Sequence, residues 1–165
     1  MKPRFLIAVT GLLLCATGVQ AQTKVSGAIK CAKPEVSHQV EVTSGHSVTL
    51  DQAKCTPEKD KALVIDGVKE ASGVATMVSE AKANKLSYTG YYTDKLENGD
   101  TAKYSAHGVA TMKDGAPQSF QDWWTLVSGT GKLKGAKGKG TCKGTPAADG
   151  AVNWQCEGEI TLAGK

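Results

Sequence analysis

The chain is almost without arginine. Arg4 is the only one in 165 residues, and every other cationic side chain is a lysine. Arginine is the planar, multi-donor group that grips phosphate and reads guanine in a fork. With no arginine beyond residue 4, and aromatics at only 5% to stack bases on, no nucleic-acid partner is expected. Long apolar runs are missing too. The stretch from Phe5 to Leu14 falls short of the about 20 residues a spanning helix needs, so no transmembrane segment is expected. No long segment carries apolar residues at helical spacing. Neither a dinucleotide fingerprint nor a G-x-S-x-G elbow occurs. His38, His46 and His107 are scattered without metal-ligand spacing and read as surface residues, so neither a metal nor a cofactor is expected.

What is present begins with a leader. Lys2 and Arg4 precede the apolar stretch, and Val19-Gln20-Ala21 supplies small residues at a cleavage point. That order is a secretory signal peptide over residues 1–21, cut after Ala21. A lipid-modified Cys15 is the rival reading, disfavoured because Leu14 before it is not small. The mature chain, 22–165, is then a single exported domain, periplasmic or secreted. Loss of Lys2 and Arg4 leaves 18 basic against 16 acidic residues, so most of the basic excess belonged to the leader. Cys31, Cys55, Cys142 and Cys156 remain, an even number that reads as two disulfides in an exported protein.

Turn signals recur at Ser44-Gly45, Asp66-Gly67, Asn98-Gly99, Asp114-Gly115 and Asp149-Gly150. Between them residues alternate. Over 102–112, Ala102, Tyr104, Ala106, Gly108, Ala110 and Met112 share one face. Over 152–162, Val152, Trp154, Cys156, Gly158, Ile160 and Leu162 do the same. Period two over such lengths predicts half-buried strands. Further strands are expected at 24–31, 38–43, 46–54, 62–66, 73–80, 86–95, 118–127 and 135–143. Sequential strands joined by tight turns make an all-β, antiparallel fold, closed into a barrel or folded as a sandwich.

The last hairpin fixes the disulfides. Cys142 and Cys156 lie nearly equidistant from the Asp149-Gly150 turn, both on the inner face, within the reach of a cross-strand bridge. Cys31 is left for Cys55. The same register explains "GTGKLKGAKGKGTCKG" at 129–144, which resembles a phosphate loop but lacks its spacing. Lys137, Lys139 and Lys143 fall on the outer face, with Lys139 opposite Glu159, and read as a solvated edge-protecting strip. Ala136, Gly138, Gly140 and Cys142 face inward.

Small inward residues either admit a large neighbour or leave a cavity. The aromatics available to fill the interior are Tyr88, Tyr92, Tyr104, Phe120, Trp124 and Trp154. A packed interior is the default, and a small-ligand cavity is the natural functional use of a barrel. Asp122 shares the parity of Phe120 and Trp124. Inward, it would need a partner such as Tyr104 or Tyr92; the preferred reading puts it near a strand end or bulge, in reach of water. The candidate ligand-binding residues are Tyr92, Tyr104, Asp122, Trp124 and Trp154.

The stretch "LENGDTAKYSAHGVATMKDGAPQSFQDWWTLVSGTGKLKGAKGKGTCKG", closed by "CEGEITL", resembles exported bacterial proteins of unassigned function that are similar in turn to the allene oxide cyclase and dirigent barrels. The likeness rests on "NGD", the tryptophan before "GTGKLKGAKGKG" and the final "EGE", and spans roughly residues 86–162. It implies a single eight-stranded antiparallel barrel, allene oxide cyclase-like, whose interior holds an apolar or phenolic small molecule. The leading expectation is a ligand-binding exported barrel. The alternatives are a cyclase- or isomerase-like enzyme using Asp122, and a non-catalytic envelope interaction protein with a solid barrel.

Overall fold

The computed structural model describes residues 22–164, so the expected leader, with its Cys15, lies outside the described residues. The strands in chain order are β1 Gln22–Cys31, β2 Val36–Thr43, β3 His46–Pro57, β4 Val64–Ile65, β5 Val68–Lys82, β6 Lys85–Leu96, β7 Thr101–Lys113, β8 Ala116–Gly129, β9 Lys137–Pro146 and β10 Val152–Thr161. Eight of them form a closed antiparallel barrel in the order β3-β1-β10-β9-β8-β7-β6-β5, with β5 returning to β3. The sandwich alternative is therefore removed. β2 continues along the edge of β3 beyond β1, and the two-residue β4 pairs with β5. No helix among the described residues is long and apolar enough to cross a membrane.

The expected turns set the hairpins. Asp66-Gly67 and Asp114-Gly115 place both residues at positive φ, 50° and 79°, 52° and 77°, the twist that joins antiparallel strands tightly. Strand bounds move where the alternation is masked. β5 extends well beyond 73–80, because a register shift between Glu70 and Ser72 breaks the period-two pattern in its first residues. β9 starts two residues later than 135, after a short 3-10 turn at Gly131–Leu133 that buries Leu133. The 62–66 segment shrinks to β4.

The inner residues are tiered by size. Val25, Ile65, Leu96, Leu126, Leu133 and Ile160 seal one end of the barrel. Further in, several of the large rings lie against glycine. Trp124 is opposite Gly140, which is opposite Gly158; Tyr88 is opposite Gly108, and Trp154 is opposite Gly144. A methyl group at Gly140 or Gly158 would overlap the Trp124 indole, one at Gly108 the Tyr88 phenol, and one at Gly73 the Tyr92 phenol. The glycines open space into which the rings lean, which lets a narrow barrel hold bulky side chains.

Cys142 and Cys156 are direct cross-strand neighbours and are bonded; Cys31 and Cys55 are likewise. Closing a loop of this size contributes about 3 kcal/mol in the chain-entropy account. Lys139 faces Glu159 across β9 and β10, on the outer surface as expected.

Replacing Gly158 by alanine is expected to lower stability by about 1–3 kcal/mol, because the added methyl meets the Lys139 carbonyl and the Gly140 backbone as well as the Trp124 ring. Urea unfolding of the purified protein measures this directly. A change within about 0.5 kcal/mol, the ordinary surface range, would show that Trp124 is not held against that glycine.

Candidate functional site

The glycines and alanines of the inner face leave a cavity of about 300 Å³ above the sealed end. It runs from Val25 and Leu63 toward Pro34, Asp51 and Leu86 at the hairpin end. The five sequence candidates, Tyr92, Tyr104, Asp122, Trp124 and Trp154, all line it, and Tyr88 and Phe120 join them. The interior is thus not solidly packed.

The rings form a connected wall. Tyr92 stacks on Tyr104 at 6.2 Å between centroids, and Tyr104 meets Trp124 edge to face at 5.3 Å. Farther along, Tyr88 meets Phe120 at 6.1 Å and Phe120 meets Trp154 at 5.7 Å. Such pairs contribute about 0.5–1.5 kcal/mol each beyond their buried area and hold the rings in fixed orientations.

Against this apolar wall stand three buried carboxyls. Asp122 is on β8, well inside the strand, and is only 7% exposed. The expectation that it reaches water near a strand end or bulge is overturned, because strict alternation with Phe120 and Trp124 carries it into the cavity. Nor are Tyr92 and Tyr104 its partners. Its Oδ1 has no hydrogen-bond partner among the described residues. Burial pushes the carboxyl up to about 7, with the Trp123 backbone N–H working weakly in the opposite direction. Tyr88, the nearest phenol to bear on it electrostatically, is held well above its ordinary value by burial first and then by Asp122; its hydroxyl donates to the Gln121 carbonyl at 3.4 Å.

The other two carboxyls, Glu70 and Asp94, form a pair that sequence reasoning missed. Asp94 is fully buried and Glu70 is 4% exposed. The Tyr92 hydroxyl donates to Glu70 Oε1 at 2.5 Å, and the Tyr104 hydroxyl to Asp94 Oδ2 at 3.4 Å. Asp94 also hydrogen-bonds Glu70, and its Oδ1 has no partner among the described residues. Burial, followed by the Glu70 hydrogen bond and charge, raises Asp94 well above the carboxylate range. Two touching carboxyls do not both ionise readily, which favours the protonated form of Asp94. Both tyrosines are held high by burial and by these acids, and they stay phenols and donors. Asp94 was within reach of the sequence: it follows Tyr92 by two residues on the inward parity of 86–95. Glu70 was not, because the bulge beside it hides its face.

The site therefore combines apolar walls with Asp122, whose carboxyl is pushed up to about 7, and Asp94, held well above the carboxylate range. A neutral carboxyl donates a hydrogen bond to a ligand oxygen, and the carboxylate left once it has ionised accepts one. Among the described residues no group of His, Cys, Asp or Glu is arranged to hold a metal.

The raised Asp122 sets a direction for stability against pH. Unfolded, it titrates near 3.8; folded, near 7. Between these values the folded chain holds a proton that the unfolded chain has released. The stabilisation is complete below about pH 4 and is lost as pH rises to about 7. The Asp122→Asn variant lacks this loss, so its stability relative to the parent is expected to rise by up to about 4 kcal/mol from pH 4 to pH 8. Urea titrations at both pH values measure it. A difference that does not change with pH would show that Asp122 ionises normally.

Compared with known proteins, the chain matches no protein family and no curated sequence. Among solved structures it is similar to a pterocarpan synthase dirigent protein, with a TM-score of 0.52 over 96% of this chain and 98% of that one, at 16% identity. At that identity the likeness establishes the shared architecture, and this chain has the dirigent-like β-barrel fold.

Proposed function

We propose that the protein is an exported barrel that binds a small apolar or phenolic molecule in its interior. The observation that carries this reading is the cavity of about 300 Å³, walled by aromatic rings and holding a few buried acids. That combination, apolar bulk with a few orienting polar groups, is what small-molecule sites share. The volume is at the lower end of the range for ligand sites and suits a molecule of one or two rings. Two disulfides support export, since such bonds persist in oxidising compartments. The cavity counts against the solid-barrel alternative.

One observation favours a second reading, a cyclase- or isomerase-like enzyme. Asp122 has a pKa of about 7 and an unpartnered oxygen directed into a water-poor site, the poise a general acid or base needs. In that role it would protonate or deprotonate a ligand oxygen, while Tyr104 and Trp124 hold the ring system in one orientation.

Native mass spectrometry of the mature protein, against its denatured mass, tests the first reading. An additional native mass that vanishes on denaturation, or stoichiometric uptake of the apolar dye phenylnaphthylamine, is expected. Ala106→Leu, which fills space beside Trp124, is expected to reduce dye affinity at least about tenfold while keeping the fold. Affinity for a phenolic probe is expected to fall as pH rises through about 7, where Asp122 loses its donor proton. In Asp122→Asn that dependence should flatten. No native adduct and no dye uptake would overturn the binding reading, and an unchanged pH profile in Asp122→Asn would remove Asp122 from it.

A further inference from the structure

The outer wall of the barrel carries a second feature that the interior does not explain. Trp123, next to the inward Trp124, points outward from β8 and is 41% exposed. Its ring stacks on His107 of β7 at 5.6 Å with only 19° between planes. Stacking on His107 holds the indole as a fixed plate on the outer surface. Single exposed apolar side chains are ordinary on this barrel, but this one is the large ring that is held in a fixed plane by a stacked neighbour.

The plate borders a groove of about 770 Å³ across β8, β9, β10 and β1. The strand register explains its shape. Trp123 faces Thr141, Thr141 faces Glu157, and Glu157 faces Ser26, so a tall ring and an acid flank one short hydroxyl side chain, and a second hydroxyl lies beyond the acid. A parallel row, one repeat along the strands, runs Lys139, Glu159, Lys24. With strands about 4.8 Å apart, the row from Trp123 to Ser26 spans about 14 Å. These acids and lysines alternate across the groove, yet none makes an ion pair or side-chain hydrogen bond with another described residue. Their heads are free to meet a ligand.

We propose that this groove is a binding site for an oligosaccharide, with the Trp123–His107 plate as its stacking platform. A pyranose ring presents an apolar C–H face and a rim of hydroxyls that both donate and accept. The indole plane fits the first, and the mixed rim of carboxylate, ammonium and hydroxyl groups fits the second. The 14 Å row matches a short chain of sugars rather than one ring. The mixed signs also select against the other ligands that use aromatic plates. A nucleic-acid strand brings a phosphate per residue, which Glu157 and Glu159 repel, and the chain has no arginine there to offset them. A purely apolar ligand would leave four charged heads desolvated without partners. Lysines beside acids also suit amino and N-acetyl sugars, whose nitrogen substituents and hydroxyls use both signs. The inference is independent of the interior reading, since Trp123 and Trp124 point to opposite faces of β8.

The test is calorimetric titration of the mature protein with a tetramer of β-1,4-linked N-acetylglucosamine, with cellotetraose and maltotetraose alongside. Saturable binding of the N-acetylglucosamine tetramer is expected. Trp123→Ala should weaken it at least about tenfold, with both disulfides and phenylnaphthylamine uptake retained. Trp123→Phe should recover part of the loss, because a smaller ring still stacks. Glu157→Gln should weaken binding less than the loss of the ring. No saturable binding of any of the three tetramers, or binding unaltered by Trp123→Ala, would overturn the proposal. Binding of a single-stranded oligonucleotide in place of a glycan would also overturn it. Loss of dye uptake in the same protein, with glycan binding intact, would bear only on the interior.

Discussion

A narrow eight-stranded barrel has little room for its bulkiest rings unless strands facing them give up side chains. This protein meets that constraint by setting Gly108 against Tyr88, Gly140 and Gly158 against Trp124, and Gly144 against Trp154. The rings would otherwise be driven into the backbone, and the glycines would otherwise weaken their strands, since a residue without a side chain packs nothing. Each defect cancels the other. The pairing also aligns the rings into one wall, because glycines on successive strands let neighbouring rings lean in register. The two disulfides lie among these rows, with Cys142 two residues from both Gly140 and Gly144, and they keep that register from slipping.

The cavity follows from the same arrangement. Rings supported by glycine lie along the wall rather than across the bore, so the centre stays open above the plug formed by Leu96, Leu133 and Ile160. Burying Glu70, Asp94 and Asp122 on that wall opposes stability, because each is drier there than in the unfolded chain. The chain offsets part of the cost: Glu70 and Asp94 each receive a tyrosine hydroxyl, burial holds Asp94 well above the carboxylate range, and the Asp122 carboxyl is pushed up to about 7. Groups that cost stability without a structural duty concentrate at sites that do something else.

Alternation gives β8 two chemically different faces from adjacent residues. Trp124 supports the interior wall, and Trp123, one residue earlier, forms the exposed plate with His107. The lysines of β9 belong to the outer surface as a strip among acids, as their register with β10 requires. The interior therefore presents apolar bulk, whereas the exterior offers mixed charge and hydroxyls around one ring. The two surfaces are chemically distinct although they share a strand.

How much of this was legible depended on range. The repeated X-Gly turns, period-two alternation and spacing of Cys142 and Cys156 about Asp149-Gly150 are local properties of the chain. They sufficed for an all-β fold, for the ten strand segments and for the last hairpin with its bridge. The inward parity of Tyr92, Tyr104, Trp124 and Trp154 was equally local. Closure of the sheet, the choice of barrel over sandwich, and the fact that the interior is hollow depend on pairing β3 with β5 and β1 with β10, contacts between residues far apart in sequence. So does the fate of Asp122, whose surroundings come from strands other than its own. Asp94 sat on a readable parity, but its partner Glu70 lies behind a bulge that no pattern in the sequence marks. Side-chain direction is thus written in the sequence because a strand alternates; burial, protonation and the meeting of Glu70 with Asp94 belong to the tertiary structure, because only a closed barrel removes the water between them.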